Sequence, residues 1–153
     1  MNKIEFENKI EGATEIRFTF CSEENYRVPC HLLLPDGISN PPLMICLQGH
    51  SKGMHISLGR TKYADEEIAG DRDFCVRAIK EGYAAIALEQ RNFGECGGSE
   101  AGPRCLESAL TNLLIGRTTI GERVWDVSRL IDVLEANFCD KVDISKICVM
   151  GNS

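Results

Sequence analysis

The stretch KICVMGNS at residues 146–153 decides the fold, because it joins an apolar run to a Gly-x-Ser tripeptide. The four apolar residues at 147–150 do not alternate with polar ones, which is typical of a strand buried on both faces of a parallel sheet. Glycine and serine directly after such a strand form the first half of the pattern G-x-S-x-G, in which a sharp strand-to-helix turn exposes a serine hydroxyl above the sheet. The sequence therefore predicts a parallel α/β sheet, with Ser153 at the carboxyl end of its last strand.

A second strand of the same kind lies at residues 43–47, and the glycine-containing loop QGHSKGM at residues 48–54 follows it directly. The backbone N–H groups of such a loop are fixed in place before a reaction begins, so they can stabilise an oxyanion. Glycine loops after strands occur in all parallel α/β folds. The loop therefore indicates an oxyanion site only in combination with the Gly-x-Ser tripeptide.

The rest of the chain divides into strands and helices in alternation. Period-two alternation predicts an antiparallel hairpin near the amino terminus. Helical spacing predicts three helices, one ended by Gly82 and one begun by a capping box of Thr119 and Glu122. The predicted strands cover residues 15–21, 26–34, 43–47, 83–88 and 146–150, and the predicted helices cover residues 73–81, 106–114 and 119–138.

This order of elements predicts an α/β fold, with a mostly parallel sheet, an N-terminal antiparallel hairpin and helices on both faces. We expect a single domain over residues 1–153, in which residues 1–41 hold the N-terminal strands and their connection and residues 42–153 hold the strand and helix core. The last strand is so apolar that a neighbour should cover it. We therefore expect the chain to be the first part of a larger domain.

Composition excludes several classes of protein. The 153 residues carry a formal charge of −6, which opposes binding to nucleic acid or to anionic lipid. The apolar run at residues 43–47 is far shorter than a membrane span, and residues 1–11 lack the apolar stretch of a signal peptide. These features predict a cytoplasmic protein that contacts neither nucleic acid nor membrane. They leave the oligomeric state open.

The eight cysteines include no C-x-x-C pair, so they do not have the spacing of a structural zinc site. Cys46, Cys75 and Cys148 lie in apolar stretches, where reduced cysteine packs as a small hydrophobic residue. We expect buried thiols and no metal. A metal site or a bridge between Cys96 and Cys105 is the alternative.

Together, these pieces resemble the α/β-hydrolase superfamily, and most closely its bacterial members similar to dienelactone hydrolase and acetyl esterase. The matching pieces follow the family's order over most of the chain: residues 48–54, Asp73-Phe74 ahead of Glu81-Gly82-Tyr83, residues 89–94, residues 114–119, residues 124–127 with Arg129 and Asp132, and Gly151-Asn152-Ser153. The resemblance implies a serine hydrolase of small carboxylic esters that needs no cofactor. Ser153 would be the nucleophile, and the backbone N–H of His50 would be one oxyanion donor.

The chain departs from the family at three points. It has Gln48-Gly49 where the family usually has His-Gly, and Glu89-Gln90-Arg91-Asn92 where the family usually has Asp-x-Arg-Gly. The family's acid and histidine follow the serine in chain order, and neither is present up to Ser153. We therefore expect residues 1–153 alone to be inactive.

Other polar residues allow two interpretations. Arg91 and Arg117 could bind a substrate carboxylate, but arginines in such loops more often tie the loops together. Asp126 and Arg129, three residues apart on a helix, are expected to form a modest surface pair. His31, on a strand, is expected to be structural.

A self-contained flavodoxin-like module that binds a small ligand without catalysis is the alternative to an enzyme. The two hypotheses differ in the residues expected after Ser153. A continuation into x-Gly-Gly, and later a strand with Asp and then a His, would establish the hydrolase.

Overall fold

The computed structural model describes residues 3–68, 70 and 72–152. These residues form six strands, three α-helices and two short 3-10 helices. The strands are β1 (Lys3–Ile10), β2 (Ala13–Glu23), β3 (Tyr26–Pro35), β4 (Pro42–Leu47), β5 (Ala84–Leu88) and β6 (Asp143–Gly151). The α-helices are α1 (Phe74–Lys80), α2 (Cys105–Leu114) and α3 (Thr119–Phe138), and the 3-10 helices are Met54–Leu58 and Gly94–Cys96.

The six strands form one mixed sheet in the order β1-β2-β3-β5-β4-β6. The β1–β2, β2–β3 and β3–β5 pairs are antiparallel, whereas β4 pairs parallel with both β5 and β6. The predicted α/β class with an N-terminal hairpin is confirmed. Within the described residues, the expected mostly parallel sheet is a mixed one, with three antiparallel and two parallel strand pairs, because β1 adds a strand and β3 meets β5 in the opposite direction.

Strand β1 is the element that sequence patterns missed. None of its residues is buried, and charged side chains alternate with isolated apolar ones along it. It is held by its backbone ladder to β2, and an edge strand tolerates charge because one of its sides faces water. Burial patterns carry little information about such a strand.

Helices cover both faces of the sheet, as predicted. On one face, α3 packs through Leu130, Leu134 and Phe138 against strand residues such as Phe18 and Ile45. On the other face, α1 and the first 3-10 helix pack against smaller strand residues: Leu33, Cys46, Ala85 and Ala87. Strands β4 and β5 contribute to both cores, which explains their unbroken apolar sequences.

The start of α3 corrects the predicted capping box. Thr118, not Thr119, is the N-cap, and its Oγ1 accepts a hydrogen bond from the Gly121 N–H at 3.0 Å. Thr119 is buried, and its hydroxyl accepts from the Asn112 side chain of α2. The Glu122 carboxylate also accepts from Asn112, at 2.8 Å. Thr119 and Glu122, which the local pattern assigned to capping, therefore accept hydrogen bonds from the neighbouring helix instead.

The predicted surface pair of Asp126 and Arg129 is wrong. Asp126 is 1% exposed and binds the Arg91 guanidinium and the Ser22 hydroxyl. Arg129 pairs instead with Asp132, at 2.6 Å. Asp126 lies on the buried side of α3, where Arg91 and Ser22, both distant in sequence, bind it in place of Arg129.

Helix α2 and strand β6 expose apolar side chains that were expected to be buried. The exposed residues are Leu106, Leu110, Leu113 and Leu114 of α2 and Val149 and Met150 of β6. Cys148 is also exposed, contrary to expectation, whereas Cys46 and Cys75 are buried free thiols. Strand β6 is the edge of the described sheet rather than a central strand.

Candidate active site

The carboxyl ends of β5, β4 and β6 lie side by side, and this places the two sequence motifs together. Leu47, the last residue of β4, is paired in register with Gly151 of β6. The loop that begins at Gln48 and Asn152, the residue after β6, therefore leave the same sheet edge as neighbours. In open α/β sheets, this edge is where ligands bind.

A cleft of about 200 Å³ lies at this edge. It is bounded by the loop after β4, by the start of α1 and by the end of β6. The residues that line it are Gln48, Gly49, His50, Ser51, Ile56, Arg72, Phe74 and Asn152. Both predicted motifs thus contribute to a single cleft.

His50 is exposed at the cleft, and its ring contacts Phe93 edge-on with centroids 6.1 Å apart. Among the described residues, no hydrogen bond uses the His50 backbone N–H. An oxyanion donor must be free in this way before the reaction. The position of His50 therefore suits the backbone role that the resemblance implies.

Ser153 lies outside the described residues. Its neighbour Asn152 lines the cleft together with His50. The geometry of the serine hydroxyl stays a prediction.

Glu89, the first residue after β5, joins the loops around the cleft. Its Oε1 accepts from the Gln48 side chain at 3.1 Å and from the Met54 N–H at 2.9 Å, and its Oε2 accepts from the Glu95 N–H at 3.3 Å. The next residue, Gln90, donates to the Gln48 carbonyl at 2.7 Å. The sequence indicated these positions only as departures from a family pattern, since hydrogen bonds between distant loops leave no periodic signal.

The structure ties Arg91 and Arg117 to carboxylates of the protein. Arg91 is buried and binds Asp126, Glu23 and Glu122. Arg117 is more exposed and pairs with Glu23 and Glu122. Neither arginine lines the cleft beside His50. These contacts correspond to the loop-tying interpretation, while a part in substrate binding stays a prediction.

His31 is buried between two charged partners. Its Nε2 accepts from the Arg17 guanidinium at 2.8 Å, so Nδ1 carries the proton and donates it to Glu15 at 2.5 Å. Burial lowers the pKa of His31, although Glu15 partly opposes that shift. A neutral, fully engaged ring agrees with a structural role.

Arg72 was not singled out from the sequence, and Phe74 was named only as part of the resembling pair Asp73-Phe74, although both residues line the cleft. Phe74 is the first residue of α1, and Arg72 is exposed just before it. Within the described residues, Arg72 forms no hydrogen bond or ion pair. A lone arginine outside any motif offers no local signal of such a position.

The part of the chain that the structure describes contains no cluster of three or more His, Cys, Asp or Glu arranged to hold a metal ion. Across the same residues, no helix has the length and apolarity to cross a membrane.

Known structures share this architecture. A Bacteroides fragilis protein assigned as an acetyl xylan esterase aligns with all of this chain at a TM-score of 0.85 and 18% identity, over 42% of its own length. Acetyl xylan esterase 1 from Thermoanaerobacterium aligns at 0.65 and 16% over 44% of its length, and a glucuronoyl esterase from Solibacter usitatus at 0.63 and 15% over 45%. No protein-family model and no curated protein sequence matches the chain significantly.

The chain has an α/β-hydrolase-like fold, and it spans less than half the length of these esterases. At 15–18% identity, the likeness defines the fold and leaves the chemistry to the site. The flavodoxin-like fold of the alternative hypothesis does not fit, because β3 pairs antiparallel with β5 inside the sheet.

Proposed function

We propose that this chain carries the nucleophile half of a serine hydrolase acting on small carboxylic esters. The observation that supports it most strongly is the register of β4 and β6, which brings the His50 loop close to Asn152, the residue before the proposed nucleophile. A nucleophile and an oxyanion donor must lie together in this way to act on one carbonyl group. The esterases of similar fold agree with this class.

In the proposed reaction, the Ser153 hydroxyl oxygen attacks the ester carbonyl carbon, and the backbone N–H of His50 donates to the carbonyl oxygen as it becomes negative. A histidine base takes the serine proton and passes it to the departing alcohol, which leaves an acyl group on Ser153. Water then attacks the acyl carbonyl through the same base, which releases the carboxylic acid and restores the serine.

We infer that the base and its acid partner come after Ser153 in the chain. In the family that the sequence resembles, they come after the serine, and the His31 ring is already held by Glu15 and Arg17. The similar esterases are more than twice as long as this chain. A stop codon directly after codon 153 would contradict this inference.

The similarity to acetyl esterase and dienelactone hydrolase defines the substrate range that we propose: esters of short acids or of small hydroxylated alcohols. Acetyl xylan, for which one structural neighbour is named, carries an ester of such a short acid. We also propose that the enzyme acts in the cytoplasm on soluble substrate. Cell fractionation would test that location.

A fluorophosphonate probe tests the assignment directly. In a protein that includes the sequence after Ser153, the probe should label Ser153, and Ser153→Ala should abolish both labelling and ester turnover. The melting temperature should change little, because a turn serine contributes little packing.

Two further results bear on the same proposal. Residues 1–153 alone should hydrolyse an activated acyl ester no faster than buffer, because loss of triad members costs many orders of magnitude. Saturable turnover by these residues, or probe labelling at another residue, would overturn the proposed site.

A further inference from the structure

Glu89 is an acidic side chain that the structure buries almost completely, with 2% of its surface exposed. It lies beneath the loop that carries His50 and does not line the cleft next to Asn152. Its position indicates that Glu89 orients the loop that carries His50 and does not contact a substrate.

The Glu89 carboxyl group binds both loops that rise from the sheet edge. Through Gln48 and Met54 it holds the two ends of the stretch that contains His50. Through the Glu95 N–H it holds the turn after β5. One side chain therefore fixes the spacing between the two loops.

Glycines let the loops approach this carboxyl group. A Cβ atom at Gly94 would collide with the Glu89 carboxylate, and one at Gly53 would lie 3.0 Å from its Oε2. Both glycines also have positive φ values, 36° and 153°, which other residues rarely adopt. The backbone is shaped around Glu89 from two sides.

Gln48 can serve either protonation state of Glu89. Its Nε2 now donates to Glu89, while its own Oε1 is buried without a hydrogen-bond partner. A half-turn of the amide would present that oxygen to a protonated Glu89, which could then donate to it. The unpaired Gln48 Oε1 is therefore an available acceptor for a hydrogen bond from protonated Glu89.

Burial raises the pKa of Glu89 to about 7, although the Glu95 and Met54 amides partly offset the shift. A second cavity, of about 260 Å³, adjoins Glu89. The charged or titratable groups that line it with Glu89 are Arg17, His31, His55, Arg60, Lys62 and Glu95. Arg17 is engaged by Glu95, and Arg60 by Glu15, so neither neutralises Glu89 directly.

We propose that Glu89 is a positioning residue for the oxyanion donor: its buried carboxyl group holds the loop over residues 48–54 against the turn over residues 89–95, and holds it more firmly when protonated. An exposed glutamate in an open loop would lose its proton more readily than Glu89 does in the closed one. Proton binding therefore favours closure, and the hold weakens as pH rises towards and beyond neutrality. Only the catalytic consequence rests on the proposed function.

Amide hydrogen exchange tests whether Glu89 holds the two loops together, and it requires no measurement of enzyme activity. Glu89→Met removes every acceptor at similar size, so the Met54 and Glu95 amides should exchange about tenfold faster or more at matched global stability. Glu15→Met is the control, because Glu15 is equally buried but bonds only the side chains of His31 and Arg60. Equal protection of the two amides in both variants would overturn the proposal.

Glu89→Gln tests the proton linkage, since its neutral amide resembles the protonated acid. After correction for intrinsic exchange, opening at Met54 in the unchanged protein should become about tenfold more frequent or more between pH 5 and pH 8. Glu89→Gln should remove this dependence. A dependence that persists in Glu89→Gln, or is absent from the unchanged protein, would refute the linkage even if Glu89→Met fails to fold.

Kinetics of the complete enzyme separate this inference from the proposed function. Glu89→Met should lower kcat and leave KM nearly unchanged, while the fluorophosphonate still labels Ser153. If exchange responds as expected but Ser153 is never labelled, the loop inference stands and the proposed function fails. An unchanged kcat, with labelling intact, would refute the catalytic consequence of the hold.

Discussion

At the residue scale, the role that we propose for His50 rests on its backbone rather than on its ring. The ring rests edge-on against Phe93, while the N–H has no partner among the described residues. A backbone donor survives any side-chain change except proline, which has no N–H. Substitutions at this one position can therefore separate packing from donation.

We expect His50→Ala to reduce ester turnover only slightly in the complete enzyme. His50→Pro should raise the barrier by roughly 2.7–4 kcal/mol, the usual effect of losing an oxyanion donor. Steady-state kinetics would measure both, and circular dichroism would check that the loop variant stays folded. Equal losses in the two variants would argue against backbone donation.

At the scale of elements, the junction between α2 and α3 shows how tertiary contacts select among local possibilities. Thr118 and Thr119 are both suitable caps by sequence. The Asn112 side chain of α2 binds Thr119, and Thr118 caps the helix. Packing of the two helices decides between neighbours of identical chemistry.

Thr118→Ala should destabilise the protein by about 1 kcal/mol, because it removes the acceptor for the Gly121 N–H. For a domain of this size, that corresponds to a fall of about 2–4 °C in Tm. Thr111→Ala is the control, since Thr111 lies within α2 and bonds only the Glu107 carbonyl of its own helix. It should leave Tm nearly unchanged. A similar fall in both variants would count against the cap.

At the scale of the whole molecule, α2, the start of α3 and β6 expose apolar side chains. They include the four leucines of α2 together with Ile120, Val124 and Val149. Ile120, Val124 and Val149 line a groove of about 310 Å³ between α3 and the ends of β4, β5 and β6. Large exposed apolar patches mark contacts with other polypeptide or a tendency to aggregate.

Residues 1–153 alone should therefore bind a hydrophobic dye strongly or be poorly soluble. Replacing Leu110 and Leu114 by Glu should reduce dye fluorescence and improve solubility. Ile4→Glu, at an exposed position on β1, is the matched control and should do neither. A soluble monomer that melts cooperatively without binding dye would contradict this expectation.

The sequence alone was enough to predict features that depend on neighbouring residues. The sequence positions of strands β4 and β6, the hairpin and the end of α1 just before Gly82 are confirmed, because each follows from local periodicity or backbone freedom. Gly82 has a φ of 84°. The Gly49-His50 loop and the Gly151-Asn152 turn are likewise short motifs at strand ends. Their chemical roles, and the role of Ser153, stay predictions.

Only the tertiary structure decided which distant residues meet. Four features join segments that are far apart in the chain. They are the pairing of β1 with β2, the contact of buried Asp126 with Arg91, the hydrogen bonds from two loops to Glu89, and the position of Arg72 in the cleft. The exposure of the α2 leucines likewise depends on contacts between distant segments. A helical stripe shows that one face is apolar, but whether that face is covered depends on the elements that pack against it, which no local pattern encodes.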